Sequence, residues 1–428
     1  MRRILIFSTT TGYQLRSFGE AALDLGVELT FATDRCHSLD DPWRDAAVAV
    51  RFHDEDASVA AVLAATADRP VDGVIAVGDR PVVLAARVAE ELGLPWHPPD
   101  AARASAHKRL ARERMVQAGL PAPRYLSTTV DADPIELSGR ARYPAVVKPV
   151  SLSGSRGVIR VDTPEALVEA FHRVGALLSR PEIRALRTGS EHEILIEDFI
   201  AGREYAVEGL MSRGELSCLA IFDKPDPLDG PFFEETIYVT PSRADAGVAG
   251  AIVAAVGDAA AALGLTHGPI HAECRVSPSG AAGGAPRVYV LEVAARPIGG
   301  LCSRALRFVS SRLSSVSLEH VLLTHALGER GVPALDELAA AVMMIPIPRR
   351  GILRSVAGED RARAVPHVED VRITAKQDQL LEPLPEAGSY LGFVFARAPH
   401  PSDAEAAVRE AHRRLLFTVD EAIEVRAG

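Results

Sequence analysis

The sequence has few cysteines, no excess of positive charge and no long apolar run, and each shortage excludes a class of protein. The cysteines lie far apart at positions 36, 218, 274 and 302, without a Cys-x-x-Cys pair, so neither a zinc site nor a disulfide framework is indicated. No apolar run approaches the ~20 residues that a membrane span needs. The formal charge of −10 offers nucleic acid no electrostatic attraction. We therefore expect reduced, mostly buried thiols and neither a membrane nor a nucleic-acid partner.

The overall composition is that of a globular protein. At roughly 150 residues per domain, a length of 428 residues suggests about three domains. Hydrophobic residues make up 47% and charged residues 24% of the chain, which is ordinary for a soluble protein. After Met1-Arg2-Arg3 the apolar run is Ile4–Phe7, which is too short for the core of a signal peptide. We interpret this run as a first strand and expect a cytoplasmic protein.

The first hundred residues alternate short apolar runs with helical patterns. The predicted strands are Arg3–Phe7, Val27–Ala32 and Val71–Val77, and the predicted helices are Leu15–Leu25 and Val82–Leu92. Glycine follows each helix, which is typical of a parallel α/β sheet. Loops at the carboxyl ends of such strands commonly form a ligand crevice, here Ser8–Gly12 and Gly78-Asp79. Simple turns would use the same residues, and the sequence leaves both readings open.

The rest of the chain predicts a mixture of helices, strands and loops that ends in a β-rich region. The predicted helices are Ala102–Ala118, Pro164–Leu178, 247–263, Ser317–Leu327 and Asp403–Phe417. The predicted strands are Tyr143–Pro149, Val158–Val161, Glu193–Phe199, Arg203–Met211, Leu216–Asp223, Ile270–Val276, Val288–Ala294, Val342–Pro346, Val368–Thr374 and Tyr390–Ala396. We expect loops at Arg180–His192, Lys224–Pro231 and Pro278–Pro286.

A loop rich in serine and glycine, Ser151–Gly157, follows a strand that carries Lys148. Small residues let backbone N–H groups approach an anion closely, and a lysine at the strand end could hold phosphate oxygens. The loop matches neither the Walker A pattern nor Gly-x-Gly-x-x-Gly. An ordinary hairpin turn would use the same residues, so the loop alone does not decide between the two.

Two glutamates occupy matching places on two predicted strands. Because alternate side chains share a face of a strand, His271, Glu273 and Arg275 point one way, and so do Glu292 and Arg296. If the two strands are antiparallel neighbours, these polar faces meet. Carboxylates held together at low dielectric require a cation, and magnesium prefers carboxylates together with substrate phosphates. The alternative is a solvated face with surface ion pairs.

Two further segments are ambiguous when taken singly. The exposed backbone edge of Glu197–Ile200 could bind an adenine ring, and an acid such as Glu204 could accept hydrogen bonds from ribose hydroxyls. A charged turn between strands is the simpler interpretation. Lys108 lies in a basic helix that by itself indicates only a solvated face.

The order of these elements resembles the ATP-grasp superfamily of carboxylate–amine ligases, over essentially the whole chain. The resemblance implies nucleotide binding by Lys108 and Lys148, and phosphate covering by a flexible loop that contains Ser153, Gly154, Ser155 and Gly157. It also implies adenine binding at Glu197, Asp198, Phe199 and Ile200, and ribose binding at Glu204. Glu273 and Glu292 match metal-binding glutamates, and Arg296 matches an arginine that neutralises developing oxyanion charge.

The segment Ala295–Gly300, which contains Gly299 and Gly300, resembles the L-amino-acid ligase branch, which joins two amino acids into a dipeptide. Tyr390–Ala396 is similar to the C-terminal domain of that branch. Many members of the superfamily have Glu-x-Asn where this chain has Ala294 after Glu292. The resemblance therefore implies ATP and Mg²⁺ as cofactors, with Mn²⁺ as a substitute, and leaves open whether one or two ions bind.

The implied fold class is α/β (α+β), with an N-terminal parallel domain, a small lid subdomain and a large C-terminal part with antiparallel sheet. The expected domains are a Rossmann-like region at 1–103, a central region at 104–200 with its lid at about 123–195, a metal-binding subdomain at 201–334, and a β-rich extension at 335–428. ATP is expected between the lid and the large C-terminal part.

The implied activity is ATP-dependent amide or peptide bond formation through an acyl phosphate, with ADP and phosphate released. Small carboxylates and amines are the expected partners, and a homodimer is the default oligomer. We expect His271 to contact the amine or the transferred group, or else to support the metal glutamates. Asp79 could pair with a substrate ammonium group. Pocket residues are expected in Lys224–Arg243, with Phe232-Phe233-Glu234-Glu235, and around Leu301–Arg307. The alternatives are a carboxylase or formyl-transfer enzyme of the same superfamily, and a non-catalytic module that senses ATP.

Overall fold

The structure, a computed structural model, describes residues 1–9, 13–34, 47–278, 287–310, 315–329 and 331–422. These residues form two compact units. Unit 1 consists of Met1–Ala122, Tyr205–Ile221 and Asp245–Asp336, and unit 2 consists of Pro123–Glu204, Phe222–Ala244 and Glu337–Gly428. The four-part domain division expected from the sequence stays a prediction.

The described residues contain twelve α-helices, numbered in chain order. They are α1 Tyr13–Leu25, α2 Glu55–Thr66, α3 Val82–Glu91, α4 Pro99–Ser105, α5 Lys108–Gln117, α6 Pro134–Arg140, α7 Pro164–Leu178, α8 Pro181–Arg184, α9 Ala246–Leu263, α10 Leu318–Ala326, α11 Glu359–Arg363 and α12 Pro401–Arg413. A short 3₁₀ helix spans Cys302–Ala305.

The strands are numbered in the same way. They are β1 Arg3–Ser8, β2 Glu28–Thr33, β3 Ala47–Ala49, β4 Gly73–Val77, β5 Tyr125–Thr129, β6 Ala145–Pro149, β7 Ile159–Val161, β8 Glu193–Asp198, β9 Arg203–Ser212, β10 Glu215–Asp223, β11 Ile237–Thr240, β12 Gly268–Ser277, β13 Arg287–Ala294, β14 Arg307–Phe308, β15 Val316–Ser317, β16 Ala339–Ile345, β17 Gly351–Ala357, β18 Val368–Ile373, β19 Leu380–Leu381, β20 Gly392–Ala398 and β21 Leu416–Asp420.

Unit 1 begins with a parallel sheet of strand order β3-β2-β1-β4. All six residues of β1 are buried, as expected for a central parallel strand with both faces covered. Val82 and Val88 of α3 and Val59 of α2 pack into the same core. The predicted parallel α/β region is therefore confirmed. The predicted crevice loop Ser8–Gly12 lies partly outside the described residues, because Thr10–Gly12 are not among them.

Unit 1 also contains a row of strands in the order β13-β12-β9-β10, with β12 and β13 antiparallel. Helix α9 contacts both β12 and β13. It ends at Gly264, which adopts a left-handed conformation with φ 81°, as glycine readily does after a helix. By length and composition alone, α9, with 18 residues, is long and apolar enough to cross a membrane. The expectation from the sequence that no apolar run approaches the length of a membrane span is therefore wrong for this helix.

Unit 2 contains an antiparallel sheet of strand order β5-β8-β6-β7, whose apolar face packs against α7. Helix α7 begins after Thr163, whose side chain accepts a hydrogen bond from the backbone N–H of Ala166, a favourable N-cap. Its buried residues, among them Leu167, Phe171 and Val174, form a core with Ile194 and Ile196. This sheet and helix lie within Tyr125–Asp198, close to the range of about 123–195 for which a lid subdomain stays a prediction.

The rest of unit 2 is built on strands in the order β11-β16-β20-β18, with a small sheet of order β19-β17-β21. Every residue of β16 and β20 is buried. Helix α12 packs on both strands through a face that includes Ala404, Val408 and Ala411. The predicted combination of a parallel N-terminal sheet with antiparallel sheets is confirmed.

Three predicted elements need correction. The helix predicted over Ala102–Ala118 is two helices, because His107 has an extended backbone (φ −129°, ψ 105°) and caps a new helix that begins at Lys108. The predicted loop Arg180–His192 contains the single-turn helix α8, which starts with proline at a helix N-terminus, where proline fits well. The last helix ends at Arg413, and Phe417 belongs to β21, which pairs with β17.

The connection predicted over Pro278–Pro286 lies outside the described residues, apart from Pro278 itself.

Candidate active site

The two candidate metal glutamates of unit 1 lie directly opposite each other. Strands β12 and β13 pair antiparallel with Glu273 opposite Glu292 and His271 opposite Ala294. The predicted juxtaposition of the two polar strand faces is therefore confirmed. A β-bulge follows Glu273, and bulges redirect side chains beside functional sites. Like charges directly opposite each other destabilise a sheet, so this pair favours a cation nearby.

Lys108 supplies a positive charge at this pair. Its Nζ lies 3.4 Å from Glu292 Oε2. The break before α5 makes Lys108 the first residue of that helix. One turn later, the fully buried Arg112 donates hydrogen bonds to the carbonyl oxygens of Leu291 (2.7 Å) and Val290 (3.4 Å) on β13. Residues four apart share a helix face, so the Arg112 contacts hold the lysine against the strand that carries Glu292.

Arg296 follows β13 and is paired with Asp79 at the end of β4. Its Nε donates to Asp79 Oδ1 at 2.7 Å, and its Nη1 donates to the carbonyl oxygen of Pro297 at 3.1 Å. Burial by itself lowers the pKa of the Arg296 guanidinium, but the Asp79 carboxylate outweighs it and the pKa is raised above the ordinary value. Arg296 is therefore a fixed positive charge. The predicted contact of Asp79 with a substrate ammonium stays a prediction.

A buried carboxylate that the sequence analysis did not single out lies beside these residues. Glu208 on β9 is 0% exposed. Its Oε2 lies 3.0 Å from His271 Nδ1, and its two oxygens accept the backbone N–H of Ile298, each at 3.1 Å. Burial raises the pKa of Glu208, against the opposing influence of the His271 hydrogen bond. Glu208 thus connects His271 with the segment that follows Arg296.

That segment contains the two glycines predicted at the substrate side. Gly300 has φ 62°, in the left-handed region that favours glycine. An added Cβ on Gly299 would meet nothing within 4 Å. The backbone conformation at position 300 therefore favours glycine, and there is open space around Gly299.

In unit 2, Lys148 and Glu197 form an ion pair between neighbouring strands. Strand β6 pairs antiparallel with β8, with Val146 opposite Glu197 and Lys148 opposite Leu195. Lys148 therefore lies on the same sheet face as Glu197, two residues along. Both side chains are at least nine-tenths buried, and a buried charge requires a partner of opposite sign.

Lys224, the first residue of the segment expected to contain pocket residues, joins two predicted site residues of unit 2. Its Nζ lies 2.8 Å from Glu204 Oε1 and 2.5 Å from Glu235 Oε1. The second oxygen of Glu235 accepts a hydrogen bond from the hydroxyl of Tyr238 at 2.9 Å, and the Lys224 ammonium lies 5.1 Å from the centre of the Tyr238 ring. Lys224 directly follows β10, and its position at the end of a strand was the sequence signal that could have identified it.

An apolar cluster of unit 2 lies beside the predicted adenine segment. Its members are Val146, Val158, Phe199, Leu228 and Phe233, of which the last two lie in the connection between β10 and β11. The rings of Phe199 and Phe233 are stacked with centroids 6.2 Å apart. These side chains give the predicted adenine segment Glu197–Ile200 apolar surroundings, which suit a purine ring. Of the five, Phe199 was predicted at the adenine segment, whereas Leu228 and Phe233 lie in the segment expected to contain substrate-pocket residues.

The serine- and glycine-rich loop of unit 2 packs against a segment of the β-rich extension. The backbone N–H of Gly157 donates to the carbonyl oxygen of Pro385 at 2.8 Å, and Arg156 Nε donates to the carbonyl oxygen of Glu386 at 2.8 Å. Arg173 of α7 holds the Glu386 carboxylate through two hydrogen bonds of 2.6 and 3.0 Å. Within this loop Gly154, Ser155 and Gly157 all have positive φ, at 64°, 54° and 74°.

The structure brings the predicted residues together within each unit. In unit 1, Lys108 meets Glu292, Glu292 lies opposite Glu273, and Arg296 meets Asp79. In unit 2, Lys148 meets Glu197, and Lys224 lies between Glu204 and Glu235.

Family models match three stretches of the chain. An ATP-grasp N-terminal domain matches residues 19–96, an ATP-grasp domain matches 141–305, and L-amino acid ligase C-terminal domain 2 matches 343–420. The last match lies within the β-rich extension, where the sequence analysis found its resemblance to the L-amino-acid ligase branch.

Individual proteins are similar over different shares of their length. The crystal structure of an L-amino acid ligase from Bacillus licheniformis is 27% identical, with a TM-score of 0.82, over 98% of this chain and 99% of that one. An uncharacterised protein of Sinorhizobium fredii is 27% identical over 78% of this chain and 65% of its own length. Dapdiamide A synthase of Enterobacter agglomerans is 27% identical over 38% of this chain. The chain thus spans 65% and 35% of these two curated relatives.

Proposed function

Because the chain belongs to the ATP-grasp superfamily, we propose that it is an ATP-dependent carboxylate–amine ligase that joins an amino acid to a second amino acid or another amine. The observation that carries the proposal is the cross-strand pair Glu273–Glu292 with the Lys108 ammonium 3.4 Å from Glu292. The match of residues 343–420 to an L-amino acid ligase domain supports amino acids as the substrate class.

The residues of unit 2 are suited to an adenine nucleotide. The backbone of Glu197–Ile200 would bind the adenine edge next to the apolar cluster, and Glu204 would accept hydrogen bonds from the ribose hydroxyls. Lys148 would exchange its contact with Glu197 for phosphate oxygens. The loop from Ser153 to Gly157 would cover the phosphates with its backbone N–H groups.

The donor set of Glu273 and Glu292 fits a hard divalent cation. Both offer carboxylate oxygens, which magnesium prefers over nitrogen or sulfur ligands, and it keeps waters in its remaining positions. Such an ion would neutralise phosphate charge during phosphoryl transfer. Ala294 is an apolar residue, so it offers no side-chain ligand, and the number of ions stays open. Manganese would suit the same oxygens.

In the proposed reaction, the carboxylate substrate attacks the γ-phosphoryl group, which leaves ADP and an acyl phosphate. The amine then attacks the acyl carbon, and expulsion of phosphate yields the amide. Arg296 would bind the oxyanion that develops on the acyl carbon, and loss of one such donor typically costs about 10²–10³ in rate. His271 would contact the amine or the transferred group, and Lys108 would bind phosphate oxygens.

Substrate contacts are proposed in each unit. In unit 2, Glu235 is proposed to contact substrate, and a substrate ammonium would compete with Lys224 for its carboxylate. In unit 1, Gly299 and Gly300 are proposed substrate contacts. Cytoplasmic location and a homodimer remain proposals from the sequence.

A screen of ADP release against all pairs of the twenty amino acids, with mass analysis of the products, tests the function. The proposal predicts a dipeptide or related amide formed together with ADP and phosphate. ADP release that required bicarbonate or formate would contradict it in favour of a carboxylase or formyl-transfer enzyme. ATP binding without ADP formation on any substrate pair would contradict it in favour of a sensor.

A further inference from the structure

Strand β9 carries a carboxylate where its neighbours in sequence are apolar. From Tyr205 to Met211 every residue is buried, and Glu208 is the only charged residue among them. A buried, ionised carboxylate is costly unless hydrogen bonds satisfy its oxygens. A strand that served only to fill the core would carry an apolar side chain at this position. The contacts of Glu208 therefore indicate why the strand carries a carboxylate at this position.

Glu208 contacts two groups that lie close in sequence to the site residues Glu273 and Arg296 of unit 1. One is the imidazole of His271, 3.0 Å away through Nδ1. The other is the backbone N–H of Ile298, which both carboxylate oxygens accept at 3.1 Å. Ile298 is two residues beyond Arg296 and directly precedes Gly299. One carboxylate thus fixes a ring on β12 and the backbone turn after β13.

The hydrogen bond to Nδ1 also orients the imidazole. A partner on one ring nitrogen determines the orientation of the ring and the role of the other nitrogen. Because Nδ1 contacts Glu208, Nε2 is the ring nitrogen that can contact another group. The position of the His271 ring and the path of the chain beyond Arg296 therefore depend on the same group.

We propose that Glu208 is a positioning residue of the ligase reaction, which holds His271 and the Arg296–Gly300 segment in the geometry needed for attack of the amine on the activated acyl group. The inference rests on the proposed function. Glu208 acts through its two neighbours and touches no reacting atom. Its loss is expected to impair amide formation more than nucleotide binding, because its contacts end on the residues proposed for the second half of the reaction.

The test compares Glu208→Gln and Glu208→Leu with Asp72→Asn as a control. Asp72 also accepts a backbone N–H, that of Arg3 at 2.7 Å, but lies outside the candidate site. The glutamine keeps an acceptor for Ile298 and removes the carboxylate beside His271, whereas leucine removes both contacts and keeps the apolar packing. Each variant is assayed for kcat, for KM of ATP and of the amine, and for the ratio of amide formed to ADP released.

We expect kcat of Glu208→Gln to fall about tenfold to a hundredfold, the usual cost of losing a partner that orients an active-site group. The amide-to-ADP ratio should fall because water would intercept more of the acyl phosphate, while KM for ATP changes less than twofold. Glu208→Leu should lose more than the glutamine variant, and Asp72→Asn should match the unmodified protein.

Hydrogen exchange measured by mass spectrometry gives a readout that does not need turnover. The peptide containing Ile298 should exchange faster in Glu208→Leu than in the unmodified protein or in Asp72→Asn. If the leucine variant does not fold, the kinetics of Glu208→Gln decide the question alone. An unchanged kcat and amide-to-ADP ratio in that variant would overturn the positioning role. If the unmodified protein forms no amide from any substrate pair, the proposed function fails instead.

Discussion

Replacing Asp79 by asparagine separates two roles for this residue. In the structure its carboxylate accepts a hydrogen bond of 2.7 Å from Arg296 Nε, and the Arg296 side chain is only 11% exposed. The sequence alone placed Asp79 near a substrate ammonium group. If Asp79 acts by holding Arg296, its loss should change the rate of the reaction. If Asp79 binds the amine, its loss should change the affinity for that substrate.

The expected size follows from the contact. A hydrogen bond to a charged group contributes about 1.5–3 kcal/mol, and each 1.4 kcal/mol corresponds to about tenfold in rate. Asparagine keeps a neutral acceptor for Nε, so we expect Asp79→Asn to lower kcat about tenfold. Asp79→Ala removes the acceptor and should lower kcat about a hundredfold.

The assay is steady-state ADP release with the amine varied at saturating ATP. Asp34→Asn is the matched control, because Asp34 pairs with Arg80 at 3.0 Å with similar exposure but is not a site residue. The control should keep kcat and both KM values. A rise of tenfold or more in KM for the amine, with kcat unchanged in Asp79→Asn, would refute the role in holding Arg296.

Three further predictions concern separate features. Gly157→Ala should raise KM for ATP and lower the free energy of unfolding by about 1–3 kcal/mol, because Gly157 has φ 74° and an added Cβ would lie 2.9 Å from Pro149 Cδ. Gly189→Ala is its control, since that glycine has φ 82° and no atom within 4 Å of an added Cβ; equal effects of both variants would argue against a special role for the loop. Burial lowers the pKa of His97 to about 4, so the unfolded chain binds the extra proton between pH 6.5 and 4, and the free energy of unfolding should fall as pH falls by up to about 3 kcal/mol from this group. Urea titrations at pH 7.5 and 4.5 check this, and His97→Gln should show a clearly smaller difference between the two. Glu292→Gln should abolish almost all ADP release and keep the fold, as circular dichroism and thermal melting would report; normal turnover would remove the metal assignment.

Much of the fold was predictable because its signals are local. Glycine after α1 and α3, buried apolar runs such as Ile4–Phe7, and proline after the capping Thr163 all mark where elements begin and end. The pairing of Glu273 with Glu292 was also foreseeable, since strand alternation fixes which side chains share a face. The structure adds the register, which places the two residues directly opposite each other.

The rest depends on contacts between residues far apart in sequence. No residue around His107 announces the break before α5, because alanine, histidine and lysine do not oppose a continuous helix. Glu208 interrupts the apolar residues of β9, and Lys224 directly follows β10. These positions mark both residues as unusual, but their partners come from elsewhere in the chain. Glu208 lies 90 residues from Ile298 in sequence. The periodicity of apolar residues in the sequence does not reveal such long-range pairings.

The most direct test of the account follows oxygen atoms from the carboxylate substrate. With the substrate identified by the amino-acid screen and labelled with ¹⁸O in its carboxyl group, mass spectrometry of the released phosphate reports where the label goes. Activation of the carboxylate by phosphoryl transfer predicts one ¹⁸O atom in each phosphate formed together with the amide. Phosphate that contains no ¹⁸O, released at the same rate as the amide, would contradict the account.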